Sequence, residues 1–552
     1  PLLGRCLGIG RTGQIADVAH LAAQLAQCRG QAGHAQRVGA HGAAQAAGAD
    51  VVVANHALLL IDAKIRAATE GIAGVLPKVD ALICDEGHRI AEVATETLGE
   101  ELTETRYGRL QRGLERLTTK HQAVKGDADR EGEAEKWMAR VEVGATPYAE
   151  LFRTIKQRLE EARETQQLLA DERTLAQPVL DAVAKLTFAM RAGVSAQESS
   201  EHQQLGAPEW LDGAERERWV RLARQFDTFA TALQTVSDPS NPDEWCRYAE
   251  IENGRGDRAR LLLQCKPIDV SEYLNRALWR AYPTVVLTSA TLADADGFGH
   301  LKNQIGLNDE AFDIAELIVG SPFDYQRNSL LYVPDDLPLP VNQPGPEQER
   351  YFTALADRMS SLLRASGGRA FCLFTSARAL RKVLPIVAES LPRHWRIMSQ
   401  IAADGYQATT RRVVIDEFKD AARLDSQPPV LFGLKTYFEG VDLQGRALEL
   451  VIADKVPFPT AGDPLFRAKC DKIDRAKGEG ASFSELVLPE ATTSLKQAVG
   501  RLVRTKTDRG VCAVLDARLA QRSYGRKIVR ALPPMRRSQR MGDVVAMFKG
   551  GR

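Results

Sequence analysis

The amino-acid sequence predicts an α/β protein with two parallel-sheet domains and a helical insertion in the first of them. Short continuous apolar runs recur along the chain, as in strands that are covered on both faces. Helical patterns alternate with these runs, and one long stretch carries only amphipathic helical patterns. The chain has 552 residues, which at about 100–200 residues per domain allows three or four domains.

The first domain is predicted to begin with residues 1–99. The runs VVVANHALLL (51–60) and ALICDE (81–86) predict its first strands. Residues 1–50 are rich in Ala, Gln, Gly and His and indicate little beyond a helix around 15–27.

Residues 100–255 are predicted to form the helical insertion. Breakers at 193–195 and 237–244 separate its helices, and its length of about 150 residues is that of an ordinary domain. Apolar side chains recur there at helical spacing: Leu110, Leu114 and Leu117; Phe152, Ile155 and Leu159; Trp219, Leu222, Phe226, Phe229 and Leu233.

Strand-like runs return at 260–265 and 284–292, and we assign 256–325 to the second part of the first domain. A Pro-rich stretch at 334–346 then separates the second α/β domain, 326–552. Its predicted strands are 371–376, 429–434, 448–454 and 511–516.

Composition excludes disordered and collagen-like classes, since 44% of residues are hydrophobic and 26% are charged. The formal charge is only +1, so a nucleic-acid surface must come from local clustering. Residues 496–540 contain thirteen Lys and Arg against Asp508 and Asp516, which suits phosphate contacts. A basic tail without a partner is the alternative. Tyr524 could stack on a base there, but a single aromatic residue is weak evidence.

The eight cysteines form no CxxC pair. Cys84, Cys265, Cys372 and Cys512 lie in apolar runs, which predicts reduced, buried thiols. No apolar run reaches the roughly 18–20 residues of a membrane span, and the first residues lack a signal-peptide pattern. We expect a cytoplasmic protein. Because the chain opens on Pro rather than Met, we also expect it to be truncated at its N-terminus.

Two adjacent carboxylates, Asp85 and Glu86, follow the apolar run ALIC. Open α/β sheets bind ligands at this carboxyl end of their strands. This is the Walker B pattern, in which the first carboxylate holds Mg²⁺ through water and the second activates the water that attacks the γ-phosphate. The alternative is a strand that simply ends in solvated acids.

Two further segments carry chemistry. Small hydroxyl residues in Thr288–Thr291 end another apolar strand and can bond a carboxylate or a phosphate. Far downstream, the spacing of Gln497, Arg501 and Arg504 predicts that all three lie on one helical face. Two guanidiniums aimed at a triphosphate would act as arginine fingers. A solvated basic helix is the alternative.

In this order the segments resemble those of superfamily-two helicases of the XPD/DinG-like branch, from residue 51 to about 532. The resemblance rests on six ordered segments: ALICDEGH as motif II, VVLTSATL as motif III, FCLFTSARAL as motif IV, TYFEGVDLQG (436–445) as motif V, QAVGRLVR as motif VI and LDARL (515–519) after it.

The resemblance implies two RecA-like domains, an arch-like insertion that guides single-stranded DNA, ATP and Mg²⁺ at the cleft between the domains, and movement from 5′ to 3′. We expect a monomer with single-stranded DNA as its partner and no membrane partner. The implied site residues are Asp85 for Mg²⁺ through water, Glu86 for water activation, His88, Thr288, Ser289, Thr291, Thr375 and Ser376 for coupling and DNA binding, Gln497, Arg501 and Arg504 for the γ-phosphate, and Gly440, Asp442 and Gly500 for nucleotide binding.

The sequence departs from the family in two places. The phosphate loop GxxxxGK followed by Ser or Thr is absent, because Gln14 and Ile15 stand where Gly8–Gly13 would require Lys and a hydroxyl residue. We expect motifs I and Ia to lie upstream, so this chain alone would lack full activity. Only Cys6 and Cys28 precede Cys84, and a cluster needs three or four thiolates. We therefore expect no iron–sulfur cluster.

The hypothesis is an ATP-dependent DNA helicase of the XPD/DinG-like type. A non-hydrolysing single-strand-binding relative without a phosphate loop is the first alternative, and an RNA helicase is the second.

Overall fold

The computed structural model describes residues 51–120, 122–162, 164–192, 207–253, 259–294, 296–308, 310–341, 343–408, 410–424, 426–434, 447–460 and 462–549. The chain divides into two compact units. The first contains the residues up to 289 together with 304–308, and the second contains 290–303 together with 309 onwards.

The strands in chain order are β1 (Ala81–Asp85), β2 (Glu100–Thr103), β3 (Gln166–Leu168), β4 (Trp245–Asn253), β5 (Ala259–Pro267), β6 (Thr284–Thr288), β7 (Ser329–Tyr332), β8 (Ala370–Phe374), β9 (Arg396–Ser399), β10 (Pro429–Leu434), β11 (Leu450–Ala453), β12 (Gly510–Val514) and β13 (Arg536–Ser538).

The α-helices are α1 (His56–Ala68), α2 (Ile90–Leu98), α3 (Arg106–Thr118), α4 (Ala128–Ala162), α5 (Arg173–Ala192), α6 (Gly213–Ser237), α7 (Ser271–Ala277), α8 (Gly299–Ile305), α9 (Tyr325–Asn328), α10 (Pro346–Ser366), α11 (Ala377–Ser390), α12 (Arg411–Ala422), α13 (Pro464–Lys477), α14 (Leu488–Val499), α15 (Ala517–Gln521), α16 (Ser523–Ala531) and α17 (Met541–Lys549). A π-helical turn, Phe483–Val487, precedes α14.

The first unit contains a parallel pair, β1 and β6, in which Asp85 lies opposite Thr288. Both strands were predicted, and both are confirmed. The strand predicted over 51–60 is wrong, because α1 begins at His56. The side chain of Asn55 accepts a hydrogen bond from the backbone N–H of Leu58 at 2.8 Å and caps the helix.

The insertion packs α3, α4, α5 and α6 around one apolar core. The predicted helical spacings are confirmed, and the indole rings of Trp137 and Trp219 meet edge to face with centroids 4.8 Å apart. The hydroxyl of Tyr107 donates to the carbonyl of Val141 at 2.7 Å. A Cβ at Gly144 would lie 2.3 Å from that hydroxyl oxygen, so a glycine lets the ring approach α4.

The prediction that the run 260–265 resumes the first parallel sheet is wrong. Strand β5 lies instead in an antiparallel sheet with the order β2, β5, β4, β3. The reason is the alternation of its side chains: Leu261, Leu263 and Cys265 face the same core as the helices of the insertion. The insertion is therefore a helical bundle that carries its own small sheet.

The second unit contains a seven-stranded parallel sheet with the order β13, β7, β12, β11, β8, β10, β9. Its four predicted strands, β8, β10, β11 and β12, are confirmed. Alternate residues of β8 enter different cores: Phe371 and Leu373 face one, while Cys372 and Phe374 face the other. Since both faces are covered, the strands are continuously apolar.

The prediction of buried, reduced thiols is confirmed for Cys84, Cys265, Cys372 and Cys512. Burial raises the pKa of the Cys84 thiol to about 12 and that of the Cys265 thiol to about 11, so both stay protonated at neutral pH. In the described part of the chain, no helix has the length and apolar character needed to cross a membrane.

Candidate active site

The carboxyl ends of β1 and β6 bring the motif II and motif III residues together. Thr288 lies opposite Asp85 in the parallel register, and its hydroxyl donates a hydrogen bond to Asp85 Oδ1 at 3.3 Å. Strand pairing thus positions the first carboxylate and the first hydroxyl that the sequence singled out.

Glu86 turns the chain sharply away from the strand. Its backbone is left-handed, with φ 53° and ψ 45°, and it begins a short 3₁₀ turn over Gly87–Arg89. A non-glycine residue in this region stores strain, which recurs at functional sites. The Glu86 side chain is 56% exposed, so the turn presents this carboxylate to solvent.

Ser289 and His88 hold Glu86 in place. The Ser289 hydroxyl donates to Glu86 Oε2 at 2.8 Å, and His88 Nδ1 lies 2.8 Å from the same hydroxyl oxygen. Since that hydroxyl has one proton and points it at Glu86, the geometry favours a His88 ring that donates from Nδ1. His88 Nδ1 is also 3.4 Å from Glu86 Oε2. Three of the predicted residues, Glu86, His88 and Ser289, therefore form one connected cluster. The bonded pair of Asp85 and Thr288 lies beside it.

His56, at the first position of α1, is a neighbour of this cluster. Burial lowers the pKa of His56, the charges of Arg89 and His88 lower it further, and Glu86 opposes them. The sequence showed only an Asn-His pair after an apolar run, and it gave His56 no role.

The donor set of this edge fits Mg²⁺, which prefers oxygen ligands and keeps several waters. The Asp85 carboxylate would hold the ion, with the Thr288 hydroxyl beside it. A bound Mg²⁺ would supply charge stabilisation for a phosphoryl group. An exposed carboxylate such as Glu86 can accept a proton from a water molecule in the same place.

The helix predicted through Arg504 is wrong. Helix α14 ends at Val499, and Gly500 is its C-terminal cap. Gln497 therefore lies on α14, whereas Arg501 and Arg504 lie in the turn that follows. The reason is the buried Asp508, whose Oδ2 accepts hydrogen bonds from the backbone N–H groups of Arg504 and Thr505, each at 2.9 Å.

Gln497, Arg501 and Arg504 are all partly buried. Nearby on α14, Lys496 Nζ donates to the carbonyl of Ala293 at 2.7 Å. Burial lowers the pKa of Lys496, and Asp294 opposes the shift. This contact ties α14 to Ala293, the residue directly after motif III. Thr291, within motif III, is partly buried.

The motif IV residues make structural contacts in the second unit. Thr375 donates from its backbone N–H to Asp454 Oδ1 at 3.0 Å and from its hydroxyl to Oδ2 at 3.2 Å. Ser376 caps α11 by accepting from the N–H of Ala379 at 3.1 Å. Asp454 is 1% exposed, and burial raises its pKa to about 7 against the effects of Lys455 and the Thr375 hydrogen bonds.

Sequence reasoning missed Asp454, although it is the acid directly after β11. Three other sets of predicted residues lie outside the described residues: Gly440 and Asp442 of motif V, the glycine-rich segment 8–13, and the early cysteines Cys6 and Cys28. The expectations for nucleotide contacts by motif V and for the absence of an iron–sulfur cluster therefore stay predictions.

Comparison with known proteins gives consistent results. Residues 359–535 match the helicase C-terminal domain family. The chain is 28% identical over 501 residues to the ATP-dependent DNA helicase YoaA of Escherichia coli strain K12, covering 90% of this chain and 69% of that protein. It is 31% identical over 491 residues to the ATP-dependent helicase DinG of Mycobacterium tuberculosis strain ATCC 25177 / H37Ra, covering 88% of this chain and 64% of the relative.

The chain thus spans about two thirds of the length of each relative. A solved structure of an XPD helicase covers 89% of this chain and 73% of its own length, with a TM-score of 0.50 and 12% sequence identity. At that identity the likeness concerns the fold, which is α/β with two RecA-like parallel-sheet domains.

Proposed function

We propose that the chain, which is similar to the XPD/DinG-like branch of superfamily-two helicases, is an ATP-dependent DNA helicase that moves along single-stranded DNA. YoaA and DinG, the relatives named above, are ATP-dependent helicases. The proposal includes the finer features that the family resemblance implies, namely 5′ to 3′ movement, ATP and Mg²⁺ between the RecA-like domains, and a cytoplasmic location.

The observation that carries the proposal is the cluster at the ends of β1 and β6. Asp85 is bonded to Thr288, and Glu86 is bonded to Ser289, which also contacts His88. Each carboxylate of motif II is thus attached to a hydroxyl of motif III. A change at either motif would move the other, which supports a role in coupling the state of the nucleotide to the rest of the helicase.

In the proposed reaction, Glu86 orients a water molecule and accepts its proton as the water attacks the γ-phosphorus. Asp85 would hold the metal ion that offsets the phosphate charge. Gln497, Arg501 and Arg504 are proposed to contact the γ-phosphate, with the arginines stabilising the negative charge of the transferring group. Gly440, Asp442 and Gly500 are proposed to line the nucleotide, while Thr291, Thr375 and Ser376 would take part in coupling.

The domain assignment extends the proposal to the region of the protein that would guide single-stranded DNA. We propose that the insertion, residues 100–255, guides single-stranded DNA as an arch. The basic run at 496–540 would contact the phosphates of the strand. The absence of a GxxxxGK loop in this sequence leaves the non-hydrolysing strand-binding relative as the rival function.

A strand-displacement assay tests the proposed function. Duplexes with a 5′ or a 3′ single-stranded tail are offered to this chain, with ATP and Mg²⁺. We expect displacement of the 5′-tailed duplex only. Displacement from the 3′ tail would contradict the direction, equal stimulation of ATP turnover by RNA would favour an RNA helicase, and strand binding without turnover would favour the rival.

The arginine assignment has a matched control. Arg501→Ala should lower DNA-stimulated ATP hydrolysis by roughly 10³-fold or more if it acts as an arginine finger. Arg393→Ala removes an exposed arginine that lies outside the basic run and should leave turnover within about twofold of the unaltered protein. Near-normal turnover in Arg501→Ala would refute the assignment.

A further inference from the structure

Three aromatic side chains from three separate elements meet in the second unit. Phe458 follows β11, Phe483 begins the π-helical turn, and Tyr524 lies in the first turn of α16. Their ring centroids are 6.1 Å apart for Phe458 and Phe483, 5.8 Å for Phe458 and Tyr524, and 5.5 Å for Phe483 and Tyr524. We call these three residues the aromatic cluster. The sequence showed only Tyr524 among basic residues, so the cluster is a result of the fold.

One side of the aromatic cluster is attached to the core and the other is open. Phe458 and Tyr524 pack against the main apolar core of the unit and are partly buried. Phe483 is 39% exposed. It stands at the start of a π-helical turn, a rare conformation that is frequent at functional sites. A ligand that covered this ring would remove its remaining apolar area from water.

Three basic side chains lie beside Phe458 and Tyr524. The Arg518 guanidinium lies 5.7 Å from the centroid of the Phe458 ring and is held there by two hydrogen bonds to Asp516, at 2.9 and 2.7 Å. Arg522 is exposed and is close enough to Tyr524 to oppose the rise in pKa that burial gives its hydroxyl. Lys527, also exposed, follows Tyr524 by three residues on α16 and so shares its face.

This combination identifies the class of ligand. Aromatic faces bind nucleobases whatever their sequence, and neighbouring cations bind the phosphates that join them. A protein partner could also cover an exposed ring, but it would need acidic groups to match the cations. A single-stranded nucleic acid satisfies both features at once.

We propose that the aromatic cluster is a base-stacking surface for single-stranded DNA, on which Phe483 receives a base while Arg522 contacts a neighbouring phosphate. The proposal rests on the proposed function and adds to it a specific place where the strand is held. It predicts two effects that can be measured separately. Stacking on Phe483 does not change how affinity depends on salt concentration, whereas the contact between Arg522 and a phosphate does, because it releases counterions.

The test uses the full chain and a single-stranded DNA oligonucleotide that contains 2-aminopurine, a base whose fluorescence falls when it stacks on an aromatic ring. Affinity is measured over a salt series. Phe483→Ala should weaken binding roughly tenfold and abolish the fall in fluorescence, without changing the slope of log affinity against log salt. Arg522→Gln should instead reduce that slope by about 1.

Matched variants separate stacking from packing. Phe483→Leu keeps an apolar side chain but no ring, and it should bind as weakly as Phe483→Ala. Phe483→Trp keeps a ring, and it should bind like the unaltered chain. Leu424→Ala removes another exposed apolar side chain, 53% exposed, from outside the cluster and should have no effect.

If the unaltered chain binds the strand and Phe483→Ala binds it equally well, the inference that the aromatic cluster stacks on bases is wrong. The proposed function is not affected by that result. Full binding by Phe483→Leu would also overturn the inference, because a ring would then not be needed. If the unaltered chain binds no single-stranded DNA at any salt concentration, the proposed function itself fails and this inference fails with it.

Discussion

Among the described strands, β1, β11 and β12 each lead into a carboxylate, and the two units use these groups differently. In the first unit, β1 ends at Asp85 and is followed by Glu86, whose side chain is 56% exposed. In the second unit, Asp454 follows β11 and Asp516 lies just beyond β12, and these residues are only 1% and 0% exposed. The sequence pattern, an apolar run and then an acid, is the same in all three.

The buried acids of the second unit hold its loops. Asp516 accepts a hydrogen bond from the backbone N–H of Val456 at 3.0 Å and binds the Arg518 guanidinium through both carboxylate oxygens. Asp454 holds Thr375 in the same manner, through its backbone and its hydroxyl. Each of these carboxylates bridges segments that follow different strands.

The difference shows that a carboxylate at the end of a strand becomes a candidate for chemistry only when its partners leave it accessible. Glu86 is bonded to two side chains that can rearrange, Ser289 and His88, and it remains open to water. The acids of the second unit are bonded to backbone N–H groups and are covered. The same sequence pattern therefore provides an accessible carboxylate in the first unit and stabilises the fold in the second.

The largest effect on stability is expected at Asp516. Asp516→Ala would leave the Val456 N–H and the partly buried Arg518 guanidinium without their acceptor, which should lower the free energy of unfolding by about 3–5 kcal/mol. Asp516 caps α15, and Asp463→Ala is the control, because Asp463 likewise caps a helix, α13, but is exposed. The control substitution should lower the free energy of unfolding by about 1 kcal/mol. Equal costs in chemical denaturation would remove the distinction between the two kinds of acid.

A smaller, pH-dependent effect is expected at Asp454. Burial raises its pKa from 3.8 to about 7, so the folded protein binds this proton more tightly than the unfolded chain. Its contribution to stability is full below pH 4 and is lost as pH rises through 7, by up to about 1.4 kcal/mol per pH unit. The Asp454→Asn variant has no carboxyl group at this position, so it lacks this pH-dependent contribution to stability.

The measurement for Asp454 is the free energy of unfolding at several pH values between 5 and 8.5. The asparagine variant should gain stability relative to the unaltered chain from pH 5 to 7, and the difference should become constant above about pH 8. A difference that does not vary with pH would show that Asp454 does not titrate in this range.

The smallest effect on stability is expected at Glu86. Glu86→Gln keeps an oxygen that can accept from Ser289, and the side chain is mostly exposed. We expect the free energy of unfolding to change by less than about 0.5 kcal/mol. A loss comparable to that of Asp516→Ala would mean that the acids of both units serve the fold.

The sequence predicted the four adjacent central strands of the second parallel sheet, β12, β11, β8 and β10, because burial on both faces makes a strand continuously apolar. It missed β13, β7 and β9, which lie towards the two edges of that sheet. It failed where one polar side chain decides the local structure. Asn55 starts a helix inside the apolar run 51–60. Asp508 captures the N–H groups of Arg504 and Thr505 and turns a predicted helical face into a turn.

The sequence predicted those parts of the candidate site whose residues lie close together along the chain. Asp85 and Glu86 are adjacent, and the end of a strand places them at a ligand-binding edge. The attachment of Thr375 to Asp454 spans 79 residues, and the aromatic cluster unites residues from three elements. Such contacts depend on the order of strands in the sheet, which spacing along the chain does not contain.

The most direct test of the central claim is ATP hydrolysis with and without single-stranded DNA, by the unaltered protein and by Glu86→Gln. The account predicts DNA-stimulated turnover that falls by roughly 10³-fold or more in the variant, with the fold unchanged. DNA-stimulated turnover that survives in Glu86→Gln would show that the exposed carboxylate at the end of β1 is not the group that activates water.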